Sequence, residues 1–408
     1  MTIQQMMMGG TNPVVKTGFV TTVGQSATTT VSCIGSVYDS SGNSYNVGPN
    51  IANNANDVYI WKTNSSGVLQ WQRSFTHTSA QTLVRTTSVG IDSSNNLYFA
   101  VWWRPSTGND IACLVKYNSS GTLQWQVGIS SATTNNLQFQ SIAVDSSGNT
   151  YLGGQSGLVM KFNNAGTLQW QRVLGGFPYL WGLRIDGSGN LWCCGNTPAI
   201  IKYNSAGVIQ NTWNLTSGTP WGITFDASGN IYIGASNAII KCNSSMVVQS
   251  QVAITSASTR DILVDSTNVY VQAYGSLTGS SGADRIIALS QSSLAVQWDN
   301  QLKQSTVNFN PQYMSIDTTN GYLYVAAGST SSGTTVYATN FRVPTDGSLT
   351  GATPSPGISM SYSANTTATT TPTYTVTAGT NSDSAGVATA ATSTYTSATS
   401  GLANSSAT

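Results

Sequence analysis

The chain has 408 residues, of which only 7% are charged, and its formal net charge is +1. So little charge gives almost no electrostatic attraction toward phosphate groups, and we expect neither nucleic acid nor an anionic membrane surface as a partner. Hydrophobic residues form 39% of the chain, which excludes a chain that is disordered throughout. No run of about 18 apolar residues occurs and the first residues lack a basic head, so the sequence predicts neither membrane insertion nor a secretory signal.

Residues 1–30 are polar and β-prone, and they precede every repeat. After them, an Asp opens a short polar turn, such as Asp-Ser-Ser-Gly-Asn, that leads into a strand. The turn occurs seven times, at Asp39, Asp92, Asp145, Asp186, Asp226, Asp265 and Asp317. A period of roughly 40–50 residues with several short strands per unit is typical of β-propeller blades.

Each unit has a second half, in which Asn, two small polar residues and Gly are usually followed by Leu-Gln-Trp. Five copies begin at Asn64, Asn118, Asn163, Asn204 and Asn243. Two degenerate copies lie at 288–298 and 340–351. Both halves therefore occur seven times, and the predicted fold is all-β, a seven-bladed β-propeller over residues 31–350. It is one domain despite its length, because blades bury their faces on neighbouring blades.

The turn chemistry supports this fold. An Asp carboxylate can accept hydrogen bonds from amides two or three residues later, and Gly followed by Asn permits a tight hairpin. For the unit around Asp186 we predict strands at 183–185, 191–195, 199–203 and 208–215. Calcium binding is the alternative for Asp-x-Ser-Gly-Asn, but calcium loops usually close with an acidic residue that is missing here. We therefore expect no metal.

Residues 351–408 form a Ser/Thr/Ala-rich extension without Lys, Arg, Glu, Trp or Phe. Within it, 358–363 and 373–377 alternate enough to be strands. We expect this extension to supply the missing fourth strand of the last blade, or to pack on another chain, and we expect residues 1–30 to complete the last blade or contact other chains as well. Its composition leaves disorder as the competing interpretation.

The five cysteines have no metal-binding or disulfide pattern. They are Cys33, Cys113, Cys193, Cys194 and Cys242. Most fall in predicted strands, so we interpret them as buried thiols of a chain assembled in a reducing cytoplasm.

Catalytic residues are scarce. His77 is the only histidine, the chain has no Glu, and no Gly-x-Ser-x-Gly motif occurs. A glycosidase could use two Asp residues, and those that lie outside the turns include Asp57, Asp110, Asp261, Asp284 and Asp299. No pair among them is recognisable, so we expect a non-enzyme without a cofactor; a hydrolase or lyase that uses Asp residues is the less favoured alternative.

A binding face is sought by aligning the repeats. The residue five positions before each turn Asp should lie at the rim of the central channel. These residues are Ile34, Thr87, Gln140, Trp181, Trp221, Arg260 and Gln312. Three successive blades thus offer Trp181, Trp221 and Arg260, a combination suited to sugar or peptide binding. The alternative is that both Trp rings fill gaps between blades.

A second candidate is Trp102 with Arg104. Adjacent Trp residues in a strand point to opposite faces, which would leave one ring exposed; we favour the alternative, that Trp103 packs on a neighbouring blade or subunit. Four further Trp residues recur at one position of the outer strands, and we interpret them as blade core. They are Trp71, Trp125, Trp170 and Trp298.

The repeat D-x-S-G-N-x-Y-x-x-G followed by K-[YF]-N-x-x-G-x-L-Q-W resembles the β-propeller repeat of bacterial and viral proteins, which often occurs in seven-bladed sets. The start QQMMMGG and the Ser/Thr-rich tail are similar to the ends of virion proteins from tailed phages. These resemblances imply a structural or host-adsorption component of a phage particle, assembled in the host cytoplasm. Its expected partners are other virion proteins, further copies of itself, and a glycan or protein receptor on the host surface.

The competing interpretation is a bacterial surface or secreted propeller that binds carbohydrate or protein. The lack of a recognisable signal favours the phage particle. Identification of the protein in purified particles would discriminate between the two.

Overall fold

The computed structural model is all-β, with no helix in the part of the chain that it describes. The described residues are 19–24, 35–49, 57–76, 83–105, 110–130, 137–275, 283–304, 308–330, 338–348, 351–355, 358–364, 369–370, 376–378, 383–385, 389–392, 396–398 and 403–407. His77, Cys33 and Ile34 therefore lie outside the described residues.

The seven predicted blades are present, and each is an antiparallel sheet that runs outward from its first strand. Blade 1 consists of β2 (Gly35–Tyr38), β3 (Ser44–Pro49), β4 (Asp57–Thr63) and β5 (Leu69–Thr76). Blade 2 consists of β6 (Leu83–Ile91), β7 (Leu97–Arg104), β8 (Ile111–Tyr117) and β9 (Leu123–Ser130). Blade 3 consists of β10 (Phe139–Val144), β11 (Thr150–Gly154), β12 (Leu158–Phe162) and β13 (Leu168–Leu174). Blade 4 consists of β14 (Leu180–Ile185), β15 (Leu191–Gly195), β16 (Thr197–Tyr203) and β17 (Ile209–Leu215). These bounds confirm the strands that we predicted around Asp186.

Blades 5 and 6 share a long strand. Their strands are β18 (Pro220–Phe225), β19 (Ile231–Cys242), β20 (Val248–Val264), β21 (Asn268–Gly275), β22 (Ala283–Ser290) and β23 (Val296–Gln304). The first half of β20 pairs with β19 and its second half with β21, so this strand ends blade 5 and begins blade 6.

Blade 7 is closed by the N-terminal segment. It contains β24 (Asn308–Asp317), β25 (Tyr322–Thr330), β26 (Ala338–Pro344) and β1 (Phe19–Gly24). Because β1 pairs with β26, the fourth strand of the last blade comes from residues 19–24. Our expectation that the C-terminal extension supplies this strand was wrong. A strand from one end of the chain joins three from the other, and the ring thereby closes without an open edge.

The C-terminal extension forms a belt, which we define as the strands after β27 (Gly351–Ser355). The belt strands are β28 (Ile358–Ala364), β29 (Thr369–Thr370), β30 (Val376–Ala378), β31 (Asp383–Ala385), β32 (Thr389–Thr392), β33 (Thr396–Ala398) and β34 (Ala403–Ala407). They pair with the outermost strands of blades 6, 5, 4, 3, 2, 1 and 7, in that order. The extension thus encircles the propeller and adds a fifth strand to every blade.

Sheet twist explains how one chain can do this. Neighbouring strands are rotated by roughly 20–25°, so the fifth strand lies at about 80–100° to the first. A fifth strand therefore runs around the circumference, where it can continue to the next blade. The predicted strand at 358–363 is confirmed as β28, whereas 373–377 overlaps β30 only at its end.

The turn Asp residues act as predicted. The Asp39 carboxylate accepts hydrogen bonds from the amides of Ser41 and Asn43 at 3.0 and 2.9 Å, and the other oxygen accepts one from the Asn43 side chain at 2.8 Å. The six other turn Asp residues accept amide hydrogen bonds in the same way. The carboxylates thus hold the hairpins in register.

The core lies between blades, because each sheet packs both faces on its neighbours. Trp102 is 4% exposed and packs with blade 3, and Trp103 is fully buried against blade 1. The expected packing of Trp103 on a neighbouring blade is confirmed, and the Trp102 ring is not exposed either, since β7 is covered on both faces. Cys113, Cys193, Cys194 and Cys242 are buried thiols, as predicted, and burial raises the pKa of Cys194 and Cys242 to about 12.

Candidate functional site

The up-and-down order of the strands gives the propeller two faces. The turn face carries the Asp turns and the Asn turns, which connect the first strand to the second and the third to the fourth. The loop face carries the connections between the second and third strands and between blades. The candidate site lies on the loop face, where the inner strands begin.

Trp181, Trp221 and Arg260 form a continuous column there. The two indole rings are stacked with centroids 3.9 Å apart and planes 7° from parallel. The Arg260 guanidinium lies over the other face of Trp221, 5.0 Å from its centroid. Tyr179 extends the column, parallel to Trp181 at 6.2 Å. All four side chains are partly exposed, so successive blades bring the predicted residues together at the surface.

Each of the three predicted residues occupies the extra position of a β-bulge. In β14 the pairing of Leu180 with Gly195 is followed by that of Gly182 with Cys194, which leaves Trp181 as the additional residue. The same shift places Trp221 in β18 and Arg260 in β20. A bulge re-aims the side chain at its extra residue. This is why one repeat position points toward the surface of the loop face although its neighbours are buried.

Glycine allows the two inner strands to approach each other. A Cβ atom on Gly182 would lie 3.1 Å from the Trp221 carbonyl oxygen and 3.5 Å from the Gly222 Cα atom. The sequence pair Trp-Gly therefore recurs in β14 and β18 for a reason: the Gly brings the strands close enough for the preceding Trp rings to stack. Trp221 is also held by a hydrogen bond of 3.3 Å from its Nε1 to the Ser236 hydroxyl.

Arg104 lies on the same face, beyond Tyr179. It donates to both carboxylate oxygens of Asp110, at 3.0 and 3.2 Å, and its guanidinium lies 5.8 Å from the ring centroid of Trp102. The hydrogen bond to Asp110 raises the pKa of Arg104, and electrostatic attraction to Asp110 and Tyr179 adds to it. The Arg104 side chain is 43% exposed, whereas the buried Trp102 ring serves as its support and has no surface for a ligand.

The other residues of the aligned position that the structure describes are Thr87, Gln140 and Gln312, the last by its backbone only. Thr87 is buried, and its hydroxyl accepts a hydrogen bond from the Ala100 amide at 3.1 Å. Gln140 and Gln312 occupy bulges of β10 and β24. The Gln140 carbonyl accepts a hydrogen bond from the Tyr313 hydroxyl at 2.5 Å, a contact between blades 3 and 7 across the central channel.

Other channel residues were missed by the sequence analysis. Arg184 of blade 4 donates to Asp261 of blade 6 at 2.9 Å, and Asp261 also accepts a hydrogen bond from the Met314 amide of blade 7 at 2.9 Å. Burial raises the pKa of Asp261, whereas the charge of Arg184 and the hydrogen bonds from the Met314 and Ile262 amides oppose that shift. The sequence shows Arg184 two residues before one turn Asp and Asp261 four residues before another, but it does not indicate that the two side chains connect different blades.

Three of the Asp residues considered for catalysis form ion pairs. Asp110, Asp261 and Asp299 are each paired with a different arginine, namely Arg104, Arg184 and Arg285. Of the Asp57 and Asp284 side chains nothing is described. Among the described residues, no three His, Cys or Asp side chains are grouped as metal ligands would be. Nor does any helix there have the length and hydropathy of a membrane span.

The arrangement favours binding over chemistry. Trp221 has one ring face against Trp181 and the other beneath Arg260, so neither face is open to a sugar ring. The column therefore offers a partner the edges of its aromatic rings and the Arg260 guanidinium. Trp, Tyr and Arg are the residues most enriched at the centres of protein–protein interfaces.

Comparison with known proteins identifies the fold. No family model matches the chain, and no curated protein is similar in sequence. Among solved structures, the chain is similar to the RRP9 WD40 repeats, with a TM-score of 0.56 and 10% identity over 80% of this chain and 97% of that one. It is also similar to U3-55K, with a TM-score of 0.54, 10% identity and coverage of 80% and 98%. A third structure, described as YCF48 bound to D1 peptide, has a TM-score of 0.51, 12% identity and coverage of 77% and 92%. The chain is therefore a seven-bladed β-propeller whose structural neighbours include WD40 domains.

Proposed function

We propose that this protein is a non-enzymatic recognition propeller that serves as a structural or host-adsorption component of a phage particle. In this proposal the Tyr179–Trp181–Trp221–Arg260 column binds a protein on the host surface. The column is the observation that carries it: four partly exposed side chains from three successive blades are held in one row by stacking and bulges.

The contacts within the column favour a protein partner over a glycan. Sugar recognition by aromatic residues uses an open ring face, and both faces of Trp221 are covered. A protein surface can instead pack against ring edges and accept hydrogen bonds from Arg260, at one end of the column, and from Arg104, beyond Tyr179 at the other. Rigid aromatic side chains lose little conformational entropy on binding, so the column is suited to act as a hot spot.

The structural neighbours are consistent with this choice. The YCF48 structure is described as a complex with a peptide, and its fold is the one seen here. A propeller of this size can therefore offer a peptide-binding surface. Likeness at 12% identity does not transfer that peptide to this chain, and the partner proposed here rests on the column.

The particle setting draws support from composition and from the belt. A surface of Ser, Thr, Asn and Gln with few charges is common in β-rich particle proteins, and the belt covers the edges by which sheets aggregate. Other virion proteins and further copies of this chain are the proposed structural partners. A bacterial surface or secreted propeller with the same binding face is the alternative.

Two measurements test the proposal. Mass spectrometry of purified phage particles should detect the protein; its absence from particles would leave the bacterial alternative. Binding of the purified protein to host cell envelopes should then fall about tenfold or more for Trp221→Ala, which corresponds to about 1.4 kcal/mol. Val208→Ala is the matched control, because Val208 is 53% exposed on the opposite face.

Treatment of the envelopes distinguishes the two receptor classes. Protease should abolish binding of the wild-type protein, and periodate, which cleaves sugar diols, should leave it intact. The reverse result would assign the receptor to a glycan and would contradict the proposed protein partner.

A further inference from the structure

The seams between blades are closed on the turn face by a repeated set of hydrogen bonds. The Lys of a third strand donates to a backbone carbonyl in the Asn turn of the next blade, as Lys161 does to Ser205 at 2.9 Å. The Trp of a fourth strand donates its Nε1 to the same turn, as Trp170 does to Ser205 at 3.1 Å. The corresponding contacts recur at other seams, from Lys62, Lys241, Trp71, Trp125 and Trp298.

The seam between blades 4 and 5 lacks these hydrogen bonds. Lys202 turns back to Asp186 of its own blade, at 3.3 Å, and lies 4.9 Å from the ring centroid of Trp192. Trp192 stands where most blades have Tyr, and its Nε1 also donates to Asp186, at 2.9 Å. Asn211 occupies the position of the fourth-strand Trp. Within residues 137–254, where backbone and side chains are all described, neither Lys202 nor Trp192 donates to the Asn turn of blade 5.

A pocket of about 330 Å³ lies at this seam, between the Asp turns of the two blades. Its polar lining includes Asp186, Asp226, Lys202, Ser188 and Ser244.

The pocket has an apolar floor. The rings of Trp192 and Phe225 are 5.3 Å apart and tilted by 54°, and Ile231 lies beside them, almost fully buried. Trp213, displaced by two residues from the usual Trp position, stacks on the far face of this cluster at 5.1 Å from Trp192. The floor is therefore held rigidly, while the two turns form polar walls.

The charges select the ligand. Two carboxylates disfavour an anion, and the Lys202 ammonium, 24% exposed, disfavours a cation. The turn hydrogen bonds already occupy both carboxylates, so a neutral ligand with several hydroxyl groups can instead accept from Lys202 and exchange hydrogen bonds with the hydroxyls of Ser188 and Ser244. The volume lies at the lower end of that of ligand sites. We propose that this pocket binds a single neutral sugar residue, at a site separate from the column on the loop face.

The test uses the full chain and the methyl glycosides of glucose, galactose, mannose and N-acetylglucosamine as probes, with binding followed by saturation-transfer NMR and titration. We expect at least one glycoside to bind in the millimolar range. Ser244→Phe should fill the pocket and weaken that binding by about tenfold or more. Ser205→Phe is the matched control, because Ser205 occupies the same position of the Asn turn at a closed seam, and it should bind as the wild type does.

Lys202→Met provides an independent variant. It keeps the aliphatic stem over Trp192 and removes the donor, so binding should weaken several-fold while the melting temperature changes little. The proposal is overturned if no glycoside binds the wild-type protein, or if Ser244→Phe and Ser205→Phe bind equally well. Binding of phosphate or of ethylammonium in place of the glycosides would also overturn it.

Discussion

Gly207 of blade 4 lies directly beneath the indole of Trp170 in blade 3: a Cβ atom on Gly207 would be 2.6 Å from that ring. Gly121 and Gly347 stand in the same relation to Trp71 and Trp298 of the preceding blades. The Gly of the Asn turn therefore serves two purposes. It adopts a positive φ, 76° at Gly207, and it leaves room for the Trp of the neighbouring blade.

The exceptions follow the same relationship. Blade 4 has Asn211 in place of the Trp, and the Asn turn of blade 5 has Met246 in place of the Gly. Blade 5 has Ser250 in place of the Trp, and the corresponding turn of blade 6 has Leu294 in place of the Gly. Met246 and Leu294 keep the positive φ, at 62° and 58°, and are 3% and 2% exposed. A large side chain in the turn thus fills the space that a Trp fills at other seams.

Gly207→Ala should destabilise the protein by about 2–5 kcal/mol, because a strained backbone adds to overpacking against Trp170. Gly189→Ala is the matched control: its φ of 77° is the same, but its Cβ would have no neighbour within 4 Å. There we expect only the backbone cost of about 1–2 kcal/mol. Urea unfolding of both variants gives the difference, and equal losses would contradict the proposed contact.

Asn211→Trp and Met246→Gly should each destabilise the protein and should compensate one another. The first places an indole on Met246, and the second leaves a cavity, with a cost of about 2–5 kcal/mol. Together they recreate the Trp–Gly pair of the other seams, so we expect a favourable coupling of about 1–3 kcal/mol in a double-mutant cycle. Additive losses would show that the two positions do not share a space.

The sequence was sufficient to predict the number of blades, because each blade repeats its turn Asp and its Asn turn. It also placed Trp181, Trp221 and Arg260 at one repeat position. The bulges that turn these side chains outward were not predictable, because a bulge depends on how two strands pair. The Trp-Gly pairs in β14 and β18 were the available signal for close strands.

The outer-strand Trp residues show a different limit. We interpreted Trp71, Trp125, Trp170 and Trp298 as blade core, and all four do lie in or against the buried clusters between blades, but each also donates its Nε1 to the next blade. Their repeat position was clear, but a periodic pattern does not reveal which blade a side chain contacts. The belt was not predictable from the sequence for a similar reason. Its short polar strands pair through backbone hydrogen bonds and carry no hydrophobic pattern.

Trp181→Ala should cost little stability compared with Trp103→Ala. Trp181 is partly exposed and loses mainly its stacking on Trp221, about 0.5–1.5 kcal/mol. Trp103 is fully buried, and its truncation should cost about 3–5 kcal/mol. Thermal melts measure both. A large loss for Trp181→Ala would assign that ring to the core and remove it from the binding face.

Gly182→Ala tests how the column is built. The added methyl group would meet the Cys194 sulfur at 2.4 Å and the Trp221 carbonyl oxygen at 3.1 Å, so β14 and β18 must separate. We expect the exciton signal of the stacked Trp pair in circular dichroism to weaken. Binding to host envelopes should weaken with it. An unchanged exciton signal would show that the strand spacing does not control the stack.

Acid should destabilise the propeller through its turns. Burial would raise the pKa of the Asp92 carboxyl, but hydrogen bonds from Asn96, Tyr98 and Ser94 outweigh it and lower the pKa, and Asp186, Asp226 and Asp265 behave similarly. A lowered folded-state pKa gives stability that is complete above the unfolded value of about 3.9 and is lost as the pH falls through the folded value. Asp261, whose pKa is raised by burial, acts in the opposite direction.

The four turns outnumber Asp261, so the free energy of unfolding should fall between about pH 5 and pH 3. Urea titrations at the two pH values measure this fall. Asp92→Asn should be less stable at pH 5 and should lose less on acidification, because one of the responsible carboxylates is gone. A wild-type protein that is equally stable at both pH values would contradict this assignment.

The two ends of the chain should differ in their effect on folding and on assembly. Deletion of residues 380–408 removes β31 to β34 and leaves every blade with four strands or more, so we expect the propeller to fold with a modest fall in melting temperature. The deletion exposes the outer strands of blades 3, 2, 1 and 7, whose unpaired amides and carbonyls then favour aggregation, and incorporation into particles should weaken.

Deletion of residues 1–24 instead removes β1, the fourth strand of blade 7 and the partner of β34, and should lower the melting temperature much further. Circular dichroism and light scattering of the two truncated proteins measure folding and aggregation. If the 380–408 deletion stays monomeric and assembles normally, the belt neither protects the blade edges nor takes part in assembly.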